Sequence, residues 1–311
     1  MPKVSIMMNC LNGERYLHEA LDSVFAQSLQ DWEVIFWDNC SNDESGAIAK
    51  SYGEKVHYFR SDTVTTLGAA RNKAYSKCRG EYIAILDVDD LWLPDKLERQ
   101  LLLFKMNPDL GMTFSNITFF DEEGDQYETF PFITPKRGRV FGDLLEQNFA
   151  GTVSMIYRRE ALELLPYIFD DKFTMVMDYD LSLRVAYRYE LDYVEHPLCK
   201  WRMHSGNEQR TKKFSIPKEM KVLMENICND YPDVKIEYGD QVERVYKYIH
   251  GQLALEQWSQ GNRSGARNYF RHYLKDPKFL IAYISTGIFS YDFFDRIRVW
   301  IIDKLRKYSS R

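Results

Sequence analysis

The sequence lacks the cysteine pairs and the surplus of basic residues that characterise several large classes of protein. Its five cysteines are scattered and odd in number, without the spacing of a zinc site or a disulfide framework. Acidic residues outnumber basic ones by 46 to 41, so no overall positive surface favours nucleic acid. Disulfides, structural zinc and nucleic-acid binding are therefore not expected. The cysteine usage instead predicts a reducing, cytoplasmic compartment.

The chain also lacks an apolar run of the roughly 20 residues that a membrane-spanning helix needs. Its longest apolar-leaning stretch, residues 279–291, contains Ser, Thr and Gly. The apolar stretch at residues 4–8 is soon interrupted by Asn9 and Asn12. It predicts a first strand and not a signal peptide.

Short apolar runs alternate with helical patterns over roughly the first 120 residues. Strands are predicted over residues 4–8, 33–38, 56–60 and 81–87, with a helix in each interval. This alternation predicts an α/β fold with a Rossmann-like, mostly parallel sheet covered by helices on both faces. Beyond residue 215 helical patterns dominate, which predicts two domains, residues 1–214 and residues 215–311.

Polar residues follow three of these predicted strands at the point where each strand ends. They lie at residues 9–12, 38–43 and 87–90. Parallel strands end at one shared edge of the sheet, here called the carboxyl edge, and ligands of such sheets bind there. A ligand site is therefore expected at this edge.

Three carboxylates, Asp87, Asp89 and Asp90, are crowded directly behind the fourth predicted strand. Like charges this close repel each other unless protonation or a cation compensates. Oxygen ligands on a short acidic run suit Mg²⁺ or Mn²⁺, which commonly bind a diphosphate as well. The alternative is turn and helix-capping duty, which fits Asp90 better than the other two.

Five segments, in order, resemble the family 2 glycosyltransferases of the GT-A fold, the inverting enzymes that transfer sugars from nucleotide donors. They span residues 3–207 and read VSIMMNCLNGERYLHEALDSVFAQSLQDWEVIFWDNCSND, LGAARNKAYSKCRGEYIAILDVDD, FAGTVSMIYRREAL, MDYDLSLRVA and WRMHSGN. The ordered set is far more specific than any one segment. The resemblance implies a nucleotide-sugar donor, with uridine as the expected base.

The resemblance also implies which residues bind the donor. Asp38 would accept a hydrogen bond from the base, Arg71 would face base or phosphate, and Asp87 would lie near the ribose or the metal. Asn9 and Asn12 would line the nucleotide site. Residues 9–11 differ from the Pro-Thr-Tyr that is common in the family at that point.

On the same basis, Asp89 would be the ligand of Mn²⁺ or Mg²⁺, and His204 would approach the metal or the diphosphate. The basic residues that surround His204 would form a flap over the leaving group and exclude water. They are Arg202, Arg210, Lys212 and Lys213.

Asp178 and Asp180 begin a predicted helix, where negative charge is favoured. Either could simply cap that helix. The resemblance implies that Asp178 is the general base, which takes the proton of the acceptor hydroxyl as it attacks, and that Asp180 is a structural partner. The family usually has Glu directly before this base, where this chain has Met177.

Three kinds of function stay open. The favoured one is a metal-dependent inverting glycosyltransferase that acts on a saccharide or lipid-linked acceptor in bacterial surface polysaccharide or glycolipid synthesis. A sugar nucleotidyltransferase is the second, although the basic, Gly-rich phosphate loop expected after its first strand is absent from NCLNGERYL. A non-catalytic nucleotide-sugar-binding module is the third.

The last residues, from 293 onward, combine an apolar face with basic residues. The pattern is typical of an amphipathic helix on an anionic membrane, which would place the protein on the inner face of the cytoplasmic membrane. It equally fits a helix that packs on its own domain or on the twin subunit of a homodimer.

Overall fold

The computed structural model describes residues 1–207 and 215–297. Arg210, Lys212 and Lys213 of the predicted flap, and residues 298–311 of the predicted amphipathic helix, lie outside the described residues. The chain divides into two compact units, Met1–Thr211 and Lys212–Arg311. Each unit is described by itself.

The first unit alternates strands and helices, as the sequence pattern predicts. Its strands are β1 Val4–Cys10, β2 Trp32–Asp38, β3 Val56–Arg60, β4 Tyr82–Ile85, β5 Leu91–Trp92, β6 Leu110–Asp121, β7 Gly124–Glu128, β8 Ile156–Arg158 and β9 Glu190–Arg202. Its helices are α1 Glu14–Phe25, α2 Ser45–Ser51, α3 Leu67–Tyr75, α4 Lys96–Met106, α5 Phe141–Glu146, α6 Arg159–Glu163 and α7 Met177–Arg188, with a 3₁₀ turn at Thr152–Ser154.

All these strands join one sheet in the order β3-β2-β1-β4-β8-β6-β9-β5, and β7 pairs with β6. The four strands from β3 to β4 are mutually parallel, so their carboxyl ends lie side by side. β8 pairs antiparallel with both β4 and β6, whereas β9 runs parallel to β6. The predicted α/β class is confirmed, and the antiparallel pairs are an addition that the alternating pattern did not indicate.

The parallel half owes its stability to burial on both faces. Every residue of β1 and β2 is buried, as expected for strands that carry helices on each side. The inward positions of α1 follow three- and four-residue spacing, which places one apolar face against the sheet; they are Leu17, Ala20, Leu21 and Val24. This packing fixes the strand ends on which the ligand site is built.

The second unit is helical, which confirms the predicted helical C-terminal region. Its helices are α8 Ser215–Asp230, α9 Val234–Glu237, α10 Gly239–Ser259, α11 Arg263–Arg271 and α12 Pro277–Ile288. Gly261 takes a positive φ of 81° between α10 and α11, and Asn262 caps α11 by accepting from Gly265 N. Within the described residues, no helix combines the length and the apolar character needed to cross a bilayer.

Candidate active site

An open cavity of about 700 Å³ lies at the carboxyl edge of the parallel strands. Seven of the eight predicted site residues line it: Asn9, Asn12, Arg71, Asp87, Asp89, Asp178 and His204. Asn9 lies at the carboxyl end of β1 and Asn12 just beyond it, and Asp87 and Asp89 follow β4. The structure therefore brings together residues 9–12 and 87–90, as the strand-end argument predicted, but residues 38–43 are not part of the cavity wall as the structure describes it. Arg71, Asp178 and His204 were expected here from the family resemblance.

Arg71 is a buried cation in the wall of this cavity. Its side chain is 2% exposed, and its Nη2 donates to Asp87 Oδ1 at 3.0 Å while its Nη1 donates to Asp178 Oδ1. Although burial lowers the pKa of the guanidinium, the two carboxylates raise it above its usual value. Arg71 is therefore a permanent positive charge that binds two carboxylates from different elements.

Asp178 lies in the first turn of α7, where the N-terminal end of the helix favours its negative charge. Its Oδ2 accepts a hydrogen bond of 2.9 Å from the hydroxyl of Thr152. Both carboxylate oxygens thus have a protein partner, and the side chain is held in one orientation towards the cavity. Asp180, by contrast, is fully buried and pairs with Arg184, so its contacts are internal to the fold.

The fourth strand ends two residues earlier than predicted, and the acidic run behind it forms a turn. β4 ends at Ile85, and the N–H of Asp90 donates back to the carbonyl of Asp87, which turns the chain. Asp87 and Asp89 consequently line the same cavity with different partners. Asp90 is 2% exposed, and its Oδ1 accepts from Arg202 N at 2.9 Å. This contact ties the loop behind β4 to β9, so the carboxylate has a structural contact, although it is not the turn or helix cap of the alternative interpretation.

Negative charge is concentrated behind β4. Desolvation raises the pKa of Asp87; Arg71 opposes that rise, while Asp89 and Asp178 add to it. Burial raises the pKa of Asp90 well above its usual value, and Asp89 and Asp87 raise it further. A cation bound in the cavity would relieve this repulsion.

Asp89 and His204 form the part of the cavity wall that fits a metal ion. His204 Nε2 lies 2.9 Å from Asp89 Oδ2, and Nδ1 accepts from Gly206 N at 3.1 Å. With Nδ1 accepting, Nε2 carries the ring proton and donates to Asp89. Ligation of a metal through Nε2 would therefore require the other neutral tautomer, with the proton on Nδ1, and would end the contact with Gly206 N. Over residues 1–207 and 215–297 no third His, Cys, Asp or Glu completes a metal cluster, and substrate oxygens would have to supply the remaining ligands, as is usual for Mg²⁺.

Asn9 and Asn12 contribute to the wall in different ways. Asn9 is 9% exposed, and neither polar atom of its side-chain amide has a protein partner. Buried amides are normally hydrogen-bonded, so this group is available to a ligand. Asn12 adopts a φ of 55° and joins the loops after β1 and β2, because its Oδ1 accepts from Asn42 N and its own N–H donates to Ser41.

Asp38 is the one predicted site residue that the cavity wall, as the structure describes it, does not include. It is fully buried at the end of β2, and its carboxylate accepts from Ser41 N, the Tyr58 hydroxyl and Arg60 Nη1 at 2.6–2.7 Å. Burial tends to raise the pKa of Asp38, but these donors outweigh it and the pKa is lowered. Contact with a base would require one of them to move.

Thr152 is a contact that the sequence analysis missed. It lies in the segment FAGTVSM, which carries part of the family resemblance, but nothing in the sequence spacing relates it to Asp178. The close approach of Gly151 to Ile117 positions the turn, since a Cβ on Gly151 would lie 2.4 Å from Ile117 Cδ1. Only the order of the family segments could have indicated this residue.

Comparison with known proteins identifies the chain. The family model described as Glycosyl transferase family 2 matches residues 5–165, which is more than half of the chain. An uncharacterized glycosyltransferase of Methanocaldococcus jannaschii is 33% identical over 208 residues, which are 65% of this chain and 71% of that protein.

Solved structures share the fold at low sequence identity. S. aureus TarS in complex with UDP-GlcNAc gives a TM-score of 0.66 at 16% identity, over 86% of this chain and 81% of that chain. A mannosyltransferase from Pyrobaculum calidifontis, in complex with GDP-Man and Mn²⁺, gives a TM-score of 0.60 at 15% identity, over 97% of this chain and 85% of that one.

Fold and relatives together define a glycosyltransferase with the GT-A fold. The chain belongs to glycosyl transferase family 2. This membership confirms the resemblance that the five segments indicated, and it favours an enzyme over a non-catalytic binding module.

We expect Arg71→Met to lower the free energy of unfolding by about 3 kcal/mol, because it leaves Asp87 and Asp178 without their buried cation. Denaturation of the purified variant by urea measures the change. The control is Arg99→Met, which removes an exposed pair with Asp95 one helical turn away and should cost only about 0.5 kcal/mol. An equal loss of unfolding free energy in the two variants would show that the pairs of Arg71 stabilise the fold no more than an exposed ion pair does.

Proposed function

We propose that this protein is a metal-dependent, inverting glycosyltransferase that moves a hexosyl or N-acetylhexosaminyl group from a UDP-sugar to a hydroxyl of a saccharide or lipid-linked acceptor. One observation supports this most directly: Asp178, at a helix N-terminus, and Asp89, behind β4, line the same cavity. A general base and a diphosphate site must share one cavity for a single displacement to occur.

In this proposal Asp178 is the catalytic base. It takes the proton of the acceptor hydroxyl as that oxygen forms its bond to the anomeric carbon. The bond from that carbon to the diphosphate breaks from the opposite face, its electron pair leaves with the diphosphate, and the configuration inverts. Arg71 orients the carboxylate, and Thr152 Oγ1 holds Oδ2 until the acceptor hydroxyl replaces it.

Asp89, with His204 in the tautomer that carries its proton on Nδ1 and leaves Nε2 free, would hold the metal. Mn²⁺ or Mg²⁺ bound there would neutralise charge that develops on the leaving diphosphate, a contribution on the order of several kcal/mol. The mannosyltransferase from P. calidifontis was solved with Mn²⁺, which supports this assignment.

The donor would occupy the wall formed by the loops after β1 and β4. The unpartnered amide of Asn9 is the clearest available contact, and Asn12 and Asp87 lie beside it in the cavity. Arg71 already binds two carboxylates, so its predicted contact with base or phosphate stays a prediction, as does that of Asp38. Uridine as the base is supported by TarS, which was solved with UDP-GlcNAc, whereas the mannosyltransferase was solved with GDP-Man.

The catalytic part in this proposal is the predicted domain of residues 1–214, and the acceptor belongs to bacterial surface polysaccharide or glycolipid synthesis. A sugar nucleotidyltransferase would use a related sheet, but family 2 membership does not favour it.

The helical region, residues 215–311, would bring the enzyme to an anionic membrane on its cytoplasmic side. α12 and the residues after it expose several large apolar side chains: Leu280, Ile281, Ile284, Ile288, Phe289, Phe293 and Ile297. Lys278 and Arg296 are exposed in the same segment. An apolar face with adjacent basic residues is suited to the surface of an anionic bilayer, and a homodimer is the competing explanation for it.

Replacement of Asp178 by Asn should reduce transfer at least about 100-fold, because the amide cannot accept the proton. Nucleoside diphosphate released from a panel of UDP-sugars, with oligosaccharide acceptors present, measures the rate. Binding of UDP, measured as the rise in melting temperature, should be unchanged. Asp143→Asn, an exposed carboxylate on α5, is the control, and an Asp178→Asn enzyme with full activity would exclude this residue as the base.

Sugar nucleotides should raise the melting temperature more in the presence of Mn²⁺ than without it, since ligands that bind the folded state stabilise it. Asp89→Ala should abolish the metal-dependent part of the shift and leave the metal-independent part. Screening UDP- and GDP-sugars side by side also tests the predicted base. If sugar nucleotides shift the melting temperature of the wild type equally with and without Mn²⁺, Asp89 is not a metal ligand.

The full-length protein should sediment with vesicles of phosphatidylglycerol and phosphatidylethanolamine, and much less with phosphatidylcholine alone. Ile281→Asp should reduce binding several-fold, because it places a charge in the apolar face. Leu102→Asp, at an exposed position on α4, is the matched control. Concentration-dependent dimers that dissociate in Ile281→Asp, without vesicle binding by the wild type, would instead assign the face to a second copy.

A further inference from the structure

Four aromatic side chains form a row that crosses the sheet beside the cavity; we call Trp201, Phe119, Tyr127 and Phe132 the aromatic row. Phe119 on β6 lies directly opposite Trp201 on β9 and opposite Tyr127 on β7. Its ring centroid is 5.0 Å from that of Trp201 and 4.6 Å from that of Tyr127. Phe132 extends the row, with its centroid 6.0 Å from that of Tyr127.

The two ends of the aromatic row have different surroundings. Phe119 and Trp201 line the same cavity as Asp178. Tyr127 is 46% exposed and Phe132 is 73% exposed. Cross-strand ring pairs stabilise a sheet, but that role gives no reason to continue the row into solvent. A contiguous aromatic surface that runs outward from a ligand cavity is typical of an extended binding site.

The chemistry of the row suits carbohydrate. A pyranose ring has an apolar face of C–H groups that packs on aromatic rings, whose electron-rich faces attract them. Its hydroxyls need polar partners, and the cavity that Phe119 and Trp201 line also contains Asn148 and Asp178. The donor groups already assigned, Asn9 at the end of β1 and Asp89 behind β4, belong to the parallel half of the sheet. The aromatic row, on β6, β7, β9 and the segment after β7, is therefore available to the other substrate.

We propose that the aromatic row is a subsite for the acceptor, which is therefore an oligosaccharide or polysaccharide chain. Its terminal sugar enters the cavity at Trp201 and Phe119, and the preceding sugars lie along Tyr127 and Phe132. This inference rests on the proposed function, since it assumes that Asp178 activates an acceptor hydroxyl. It narrows the acceptor from a saccharide or lipid to a chain of several sugars.

The test uses an array of purified bacterial surface polysaccharides and their oligosaccharide fragments, probed with the full-length protein in UDP and Mn²⁺. The wild type should bind a subset of these glycans. Phe132→Ala should bind the same glycans about tenfold more weakly, the loss expected for one aromatic contact. Phe132→Trp should restore binding, and Tyr127→Phe should retain it.

Tyr248→Ala, which removes a residue that is 57% exposed in the helical unit, is the control and should bind like the wild type. With the best-bound oligosaccharide as acceptor, Phe132→Ala should raise KM about tenfold and leave kcat nearly unchanged. A purely structural role for the aromatic row would instead lower the melting temperature without this split.

Thermal stabilisation by UDP distinguishes failure of the acceptor subsite from failure of the proposed transferase function. If the wild type binds no array glycan, or if Phe132→Ala binds as tightly as the wild type, while UDP still stabilises both, the acceptor subsite is excluded and the transferase function stands. If UDP and UDP-sugars do not stabilise the wild type, the proposed function fails first, and the acceptor subsite fails with it.

Discussion

The ion pairs of Arg71 with Asp87 and Asp178 are the interaction on which the geometry of the site depends. They join α3, the loop after β4 and the start of α7, and Arg71 and Asp178 are 107 positions apart in the sequence. A guanidinium that is 2% exposed is tolerated only while its carboxylates remain in place. The cavity therefore takes its shape only when the second half of the sheet has closed on the first.

The sequence was sufficient to predict those strands and helices that depend on a local pattern of apolar residues. The strands β1 to β4 follow from buried apolar runs, and the position of the cavity follows from the polar residues at their ends. The antiparallel arrangement around β8 and the contact of Thr152 with Asp178 were not predictable in this way. Both depend on tertiary packing between segments whose spacing in the chain carries no periodic signal.

Orientation was harder to predict than position. Asp38 ends β2 as expected, yet Tyr58 and Arg60 from β3 donate hydrogen bonds to its carboxylate. No pattern in β2 itself indicates these partners. Asn9 shows the reverse case, since its position also follows from a strand end but its amide is left without a protein partner. The same residue type at a strand end can thus complete the fold or remain available to a ligand, and only its neighbours decide which.

In the proposed function the two substrates are recognised by different halves of one sheet. The donor groups Asn9 and Asp89 lie at the ends of strands of the parallel half, whereas Asp178 and the aromatic row belong to segments after β5. Arg71 connects the halves through its two carboxylates, so the base is positioned relative to the donor by a rigid buried contact. The aromatic row shares no residue with this contact, so in the proposed function substitutions along the row can change which acceptor binds without disturbing the geometry at the anomeric carbon.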